Sequence, residues 1–358
     1  MRKRHITRLV SITAASAAGL AVAAPSAPAA GAGAGLVVSP GQSIQAAVDA
    51  ARPGDTVVVR PGTYRESVRI STPGLTLRGS GDGTVIMPAA GRAASGDDCA
   101  GAGNGICVLG TRDATVDGVT IRSLRVTGFA RSGVWASWTD RLAVRAVTAD
   151  ANGVWGIAQQ RSTRSDIRDS TARSNGDAGV FVANSVDEED GATDTGGTRV
   201  RGNTLTDNRI GFTARRVRNL SVRDNTVTAN CSGMFVVGDE GSPQAGEMSV
   251  RANRITGNNK FCAATDRLPA IQGSGIVLTG AAATEVRSNE IRDNAGDTPM
   301  SGGVVLFKSF VGAKNNDNTV SGNVVLGNRP ADLADRDTGT GNRFTGNVCT
   351  TSAPAGMC

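Results

Sequence analysis

The densest run of potential metal ligands in the chain is Asp187-Glu188-Glu189-Asp190, with Asp194 close behind. Carboxylates gathered in a loop suit calcium, which prefers several oxygen donors. The run lacks an EF-hand spacing and the glycine-rich nonapeptide of calcium β-rolls, so a solvated acidic loop is its ordinary reading. Histidine chemistry is confined to His5, the only histidine present. His5 sits among Arg2, Lys3, Arg4 and Arg8, ahead of an apolar stretch from Leu9 to about Ala24 and the small-residue run Ala-Pro-Ser-Ala-Pro-Ala-Ala. That pattern predicts a secretory signal over residues 1–30, cleaved near Ala24, Ala27 or Ala30. The exported chain then has no histidine, which excludes a histidine general base, a Ser-His-Asp triad and a histidine-ligated metal.

Export also changes the charge argument. The full chain carries a formal +6, but four basic and no acidic residues leave with the signal, so the exported balance is about +2. That value argues for neither nucleic acid nor a membrane surface as partner. No later segment has the roughly twenty apolar residues of a membrane span. Six cysteines remain, an even number that implies disulfides in an exported chain. Sequence order favours three local bridges, Cys99–Cys107, Cys231–Cys262 and Cys349–Cys358. No Cys-x-x-Cys pair is present to suggest zinc or dithiol redox chemistry.

The element that positions everything else is a repeated doublet, Asn-x-x-x-x-Asn. It occurs at Asn203/Asn208, Asn225/Asn230, Asn253/Asn258, Asn289/Asn294 and Asn323/Asn328, with a truncated copy at Asn347. The first asparagines are 22, 28, 36, 34 and 24 residues apart, so a unit of about 22 recurs with insertions. Asparagine suits a sharp bend because its amide bonds nearby backbone and it tolerates the left-handed conformation. Stacked coils would align these amides into ladders. Short Val- and Ile-rich runs between the bends predict an all-β solenoid of three-sided coils. A leucine-rich repeat, the rival at this period, would show a Leu-x-x-Leu-x-Leu frame, which is absent. Ile44, Ala47, Val48 and Ala51 share one helical face with Ser43 as N-cap, predicting a short helix that covers the first coil. The expected divisions are a linker over 31–39, cap and first coils over 40–115, repeats over 116–349, and a stapled tail over 350–358.

The opening QSIQAAVDAARPGDTVVVRPGTY and the V-R-x-N-x-[VIL]-x-x-N coils resemble the secreted right-handed β-helix proteins of the pectin-lyase-like superfamily, of a kind common in actinobacteria. The resemblance covers nearly all of the exported chain and implies a single-stranded right-handed parallel β-helix that acts on an extracellular, acidic polysaccharide. In the lyases of that superfamily Arg or Lys is the base and calcium bridges the substrate. By that implication Lys308, Arg215 and Asp239 are the catalytic candidates, and calcium held by Asp187, Glu188, Glu189 and Asp190 is the cofactor. The chain lacks the Asn-Thr-Asp and Gly-His-Gly of polygalacturonases, the Asp-Pro-His of alginate epimerases and the tryptophan–Asp-His of pectate lyases.

The third strand of each unit follows a glycine, among them Gly133, Gly179, Gly233 and Gly303. Alternation then sends Val134, Ile157, Val180, Phe212, Met234, Ile276 and Val304 inward. It sends Trp135, Phe181 and Phe235 outward, with Phe307 one pleat further along its own strand. The chain has only three tryptophans, one tyrosine and eight phenylalanines, so an outward aromatic row is expected to be a sugar-binding platform. Long loops folding over the row are the alternative. The functional expectation is a secreted, monomeric β-helix protein that binds an extracellular acidic polysaccharide, with lyase-type cleavage as the form any processing would take. The alternative is a non-catalytic structural or surface β-helix. A copper-maturation β-helix is disfavoured, since the exported chain has no histidine and its cysteines are expected in disulfides.

Overall fold

The computed structural model describes residues 36–90, 99–186, 188, 190–266 and 268–358. The expected signal segment lies outside them. The chain winds as a right-handed parallel β-helix in which each full coil adds one strand to an eleven-stranded sheet and two to a twenty-stranded sheet. The twenty-stranded sheet is two stacks joined at a bend. They fuse where Thr120–Thr127 and Ala143–Asp150 run straight through it, pairing with both stacks. Among the described residues no helix is long and apolar enough to cross a membrane.

Alternation explains the core. In Ser249–Arg251 the central Val250 is buried while its neighbours are only half-covered, and the same pattern recurs in Thr319–Ser321. One such apolar side chain per strand builds a continuous column that includes Leu77, Ile121, Val144, Ile167, Val200 and Val222. Each contributes about 1.5–3 kcal/mol by leaving water. The outer face keeps equally strict register. Arg78 pairs with Arg122, Arg122 with Arg145 and Arg145 with Arg168. The row then continues through Arg201, Arg223 and Arg251 to Arg287.

Both asparagines of the doublet form ladders. Asn203, Asn225, Asn253, Asn289, Asn323 and Asn347 are joined amide to amide at 2.9–3.0 Å. A second ladder runs from Asn152 through Asn175, Asn208, Asn230, Asn258 and Asn294 to Asn328. The expected reason for asparagine needs one correction. The left-handed residue at each bend is the one before it, as at Asp224, Ala229, Ala252 and Asp293, with φ between 53° and 58°. The asparagines are instead selected for an amide that donates to one coil and accepts from another, leaving few buried polar atoms unpaired.

The ends are capped as the sequence predicts, and a little beyond. Helix Ile44–Ala50 buries Ile44 and Val48, and Ser43 Oγ accepts from the Ala46 N–H at 3.2 Å. The Glu66 carboxylate adds a second cap, accepting from the Ile44 and Gln45 N–H groups at 2.7 and 3.0 Å. Leu36–Val38, read from sequence as linker, is a strand paired with Val57–Val59. Its alternation was too short to register as a strand. At the other end Ser352–Ala353 pairs with Leu333–Ala334, and Cys349–Cys358 closes the tail.

Candidate functional site

The outer face of the eleven-stranded sheet has the predicted register. Trp135, Ala158, Phe181, Thr213, Phe235, Val277 and Val305 pair in sequence across it. Ser137, Gln160, Ala183, Arg215, Val237, Thr279 and Phe307 form the parallel row. The glycine before the inward residue is required by close packing. A Cβ on Gly233 would lie 2.5 Å from the Gly275 carbonyl and 2.6 Å from the Ile255 side chain.

Direction and accessibility separate along this face. Phe235 is 2% exposed and Phe307 7%, both in an apolar cluster with Ile210, Ile271, Val277, Met300 and Val305. Ile271 reaches them from the segment pinned by Cys231–Cys262, whose Cys262 and Ile271 exchange backbone hydrogen bonds at 3.0 Å. Phe181 is also buried, stacked on Trp155 with centroids 4.5 Å apart and covered beside Val186. These three rings therefore offer no free face to a sugar, because the insertions that flank the sheet fold over them. Trp135 alone of the expected row is half-exposed, stacked on the far side of Trp155 at 5.6 Å.

Trp135 lies in a hollow of about 360 Å³. Its floor carries Trp135, Ser137 and Gln160, and Arg69 stands two coils upstream in the same row, through Cys107. The Cys99–Cys107 disulfide anchors the wall that includes Ala102 and Asn104. Leu109 continues the Ser137–Gln160 row of the floor, and Thr111 and Val186 complete the lining. Asn104 Oδ1 accepts from the Ser132 N–H at 3.1 Å, and its amide nitrogen makes no hydrogen bond among the described residues. Gln160 is fixed at both ends, donating to Ser137 Oγ at 3.2 Å and accepting from the Val186 N–H at 3.0 Å. Arg131 lies over the Trp155 ring at 5.9 Å, and Trp138 has both Arg112 and Arg161 against its ring. Among the described residues the charged lining is two arginines, Arg69 and Arg131, which suits an anionic ligand. The hollow pairs a flat aromatic surface with amide, hydroxyl and guanidinium donors.

The sequence profile of the right handed beta helix region matches residues 74–245 and 191–356. The chain belongs to the right-handed β-helix family. Similar solved structures include the A-module of mannuronan C-5 epimerase AlgE4 from Azotobacter vinelandii, 20% identical over 88% of this chain and 94% of that one, with TM-score 0.54. A double mutant of the periplasmic alginate epimerase AlgG is 13% identical over 82% and 71%, with TM-score 0.57. A mutant DFA-IIIase from Arthrobacter chlorophenolicus A6 in complex with DFA-III is 16% identical over 82% and 74%, with TM-score 0.58. At these identities the likeness is one of fold. No curated protein matches the chain.

On this β-helix Lys308 stands apart from Arg215 and Asp239, which lie on neighbouring coils. Lys308 is exposed and follows Phe307, which lies three coils from Arg215 in the same row, about 14 Å at the strand spacing. Arg215 donates to the Val186 carbonyl at 3.2 Å, helping to hold the loop beside the hollow. Asp239 is buried in an ion pair with Arg216, which also donates to the Glu188 carbonyl at 2.8 Å. Asp187 and Glu189 lie outside the described residues. Glu188 pairs with Arg161, and Asp190 accepts from the Gly191 N–H at 2.8 Å. Among the described residues no three carboxylate, histidine or cysteine groups come together to hold a cation. The described members of the expected calcium set, Glu188 and Asp190, are engaged in these contacts, and no step is assigned to calcium. Sequence reading missed Arg69, Arg131, Asn104 and the role of Trp155. Arg69 could have been found by extending the aromatic row upstream. Asn104 and Arg131 arrive through loops whose path no repeat specifies.

Proposed function

We propose that this protein is an exported β-helix that binds an acidic polysaccharide, with the Trp135 hollow as its sugar site. One observation carries the reading. The one partly exposed ring of the outward row lies in a hollow whose charged lining, among the described residues, is the two arginines Arg69 and Arg131. A sugar ring lays its C–H face on the Trp135 indole, and Arg69 and Arg131 pair with a carboxylate on that sugar or its neighbour. Three disulfides support an extracytoplasmic setting. The names of the similar structures, epimerases of mannuronan and alginate, point to the same class of polymer.

Retention of the exported protein on immobilised polyuronate, against a neutral glucan, tests the proposal. Selective retention weakened by Trp135→Ala and by Arg69→Gln/Arg131→Gln is the expected result. Equal retention on both matrices, or retention indifferent to these substitutions, would reject the site. Release of unsaturated uronate, followed by ultraviolet absorbance, would add lyase chemistry to binding.

A further inference from the structure

The Trp135 hollow leaves the other large sheet unused, and that sheet carries a line of charge. Eight arginines stand in unbroken register on its outer face, one per coil, beginning at Arg78 and ending at Arg287. Like charges directly opposite one another in neighbouring strands are destabilising. Neutralisation along the row is uneven. Asp166 takes most of it, accepting from Arg201 at 3.0 and 3.1 Å and lying 3.1 Å from Arg168 and 3.9 Å from Arg145, while Arg168 also pairs with Asp169. Arg223 pairs with Asp224, and Arg287 lies 3.6 Å from Glu285. Arg78, Arg122 and Arg251 make no ion pair among the described residues.

The face is also shaped. A second hollow, of about 440 Å³, lies over the upstream part of the row and is lined by Arg122, Arg145 and Arg168 beside Thr76, Thr120 and Ser123, with Asp169 as its one carboxylate among the described residues. The Arg145 Nε at this hollow is buried and has no hydrogen-bond partner among the described residues. Hydroxyls flank the line two residues upstream on several coils, at Thr76, Thr120, Ser221 and Ser249.

We propose that this arginine ladder is a second binding site, on a different sheet from the Trp135 hollow and independent of it, for a linear carboxylate-bearing polysaccharide lying along the coil axis. Successive coils rise by ~4.8 Å, so the eight arginines span about 34 Å in a nearly straight line. An extended uronate chain offers the complement, one carboxylate per sugar at a similar repeat. Guanidinium is the cation best matched to carboxylate, through paired N–H donors. The flanking hydroxyls match the hydroxyls of the sugars. Duplex DNA fits less well, since its charge of one per ~1.7 Å winds along two strands and calls for a broad surface. A membrane surface would call for apolar side chains beside the cations, where this face has threonine and serine.

Binding of size-fractionated oligogalacturonates to the full exported protein tests the ladder, with duplex DNA and phosphatidylglycerol vesicles as rival probes. The expected affinity rises with oligomer length up to about the ~34 Å span and falls as salt screens the contacts. Arg122→Gln/Arg145→Gln/Arg223→Gln/Arg251→Gln leaves the Arg168 and Arg201 contacts to Asp166 in place and is expected to lose at least tenfold in affinity for long oligomers. If that variant misfolds, Arg122→Gln/Arg251→Gln, which breaks no ion pair, is expected to lose about threefold. Trp135→Ala is expected to keep the length dependence, which separates failure of the ladder from failure of the hollow. Three results would overturn the proposal: no binding by the wild type, unchanged affinity in the folded ladder variants, or equal or tighter binding of DNA or vesicles.

Discussion

Trp135 and Phe235 occupy one row of one sheet, four coils apart and pointing the same way, yet one borders a hollow and the other is sealed. The difference lies outside the strands. Around Phe235 the insertion pinned by Cys231–Cys262 brings Ile271 onto the sheet, and Met300 arrives from the next insertion. Around Trp135 the neighbouring segments border the hollow, one anchored by Cys99–Cys107 and the other beginning at Val186. A β-helix sets direction coil by coil, while the loops between coils decide which outward residues meet solvent.

The largest test of this contrast is Phe235→Ala. Truncating a ring in a closed apolar cluster is expected to cost about 3–5 kcal/mol, measured by chemical denaturation, with polyuronate retention per folded molecule unchanged. Lost retention without lost stability would reverse the roles of the two ends. Next comes Cys231→Ser/Cys262→Ser, expected to cost about 2–4 kcal/mol. Limited proteolysis should then cut within 259–273 first, while the Trp135 hollow still binds. If proteolysis begins near Val186 instead, the disulfide is not what seals the Phe235 end.

Trp135→Ala is expected to lower polyuronate affinity about tenfold, read by isothermal titration, while costing only about 1–2 kcal/mol of stability through loss of its stack on Trp155. A larger stability loss with intact binding would make Trp135 a packing residue like Phe235. The smallest effect concerns acid. Burial pushes the Asp332 carboxyl up, but hydrogen bonds from Asn328, Thr350 and Thr351 outweigh it and hold the group below the usual range. A depressed carboxyl stabilises the fold above its unfolded value of about 4, and that contribution is lost as pH falls toward the folded value. Hydrogen exchange at the Thr350 and Thr351 amides should therefore quicken below about pH 4, beyond its intrinsic acid trend, and Asp332→Asn should remove that extra dependence. In the Trp135 half Asp140 is also depressed, chiefly by its hydrogen bond from Arg164, which is largely exposed. Solvent screening makes that contribution smaller, so acid should loosen the sealed end first.

Legibility follows the range of the interaction that decides each feature. The coil period, the ladder positions and the inward column from Val134 to Val304 depend on alternation and on a repeated bend, which any short window displays. The three cysteine pairings were legible for the same reason, since local order and coil stacking bring the partners together. The roles of the candidate site residues were not. Asp239 looks like a strand-end carboxylate until Arg216 packs against it, and nothing in their spacing announces a buried pair. The insertions at 186–196, 259–274 and 295–302 can be counted in sequence, but their direction depends on what they meet.

Taken by itself, the sequence determined a repeating parallel β-helix, a chain whose one histidine is His5, and the direction in which the residues of each third strand project. Even the arginine line was written there, one residue after the core position of each repeat, though register alone turned the repeated letter into a row. Only the tertiary structure decided that Trp135 stays open while Phe181, Phe235 and Phe307 are covered, and that Arg69 and Arg131 join Trp135 in one hollow. The physical reason is that backbone pairing and amide ladders repeat every coil. The packing of an insertion against a sheet is a single, long-range event whose energy depends on surfaces that exist only after the coils have stacked.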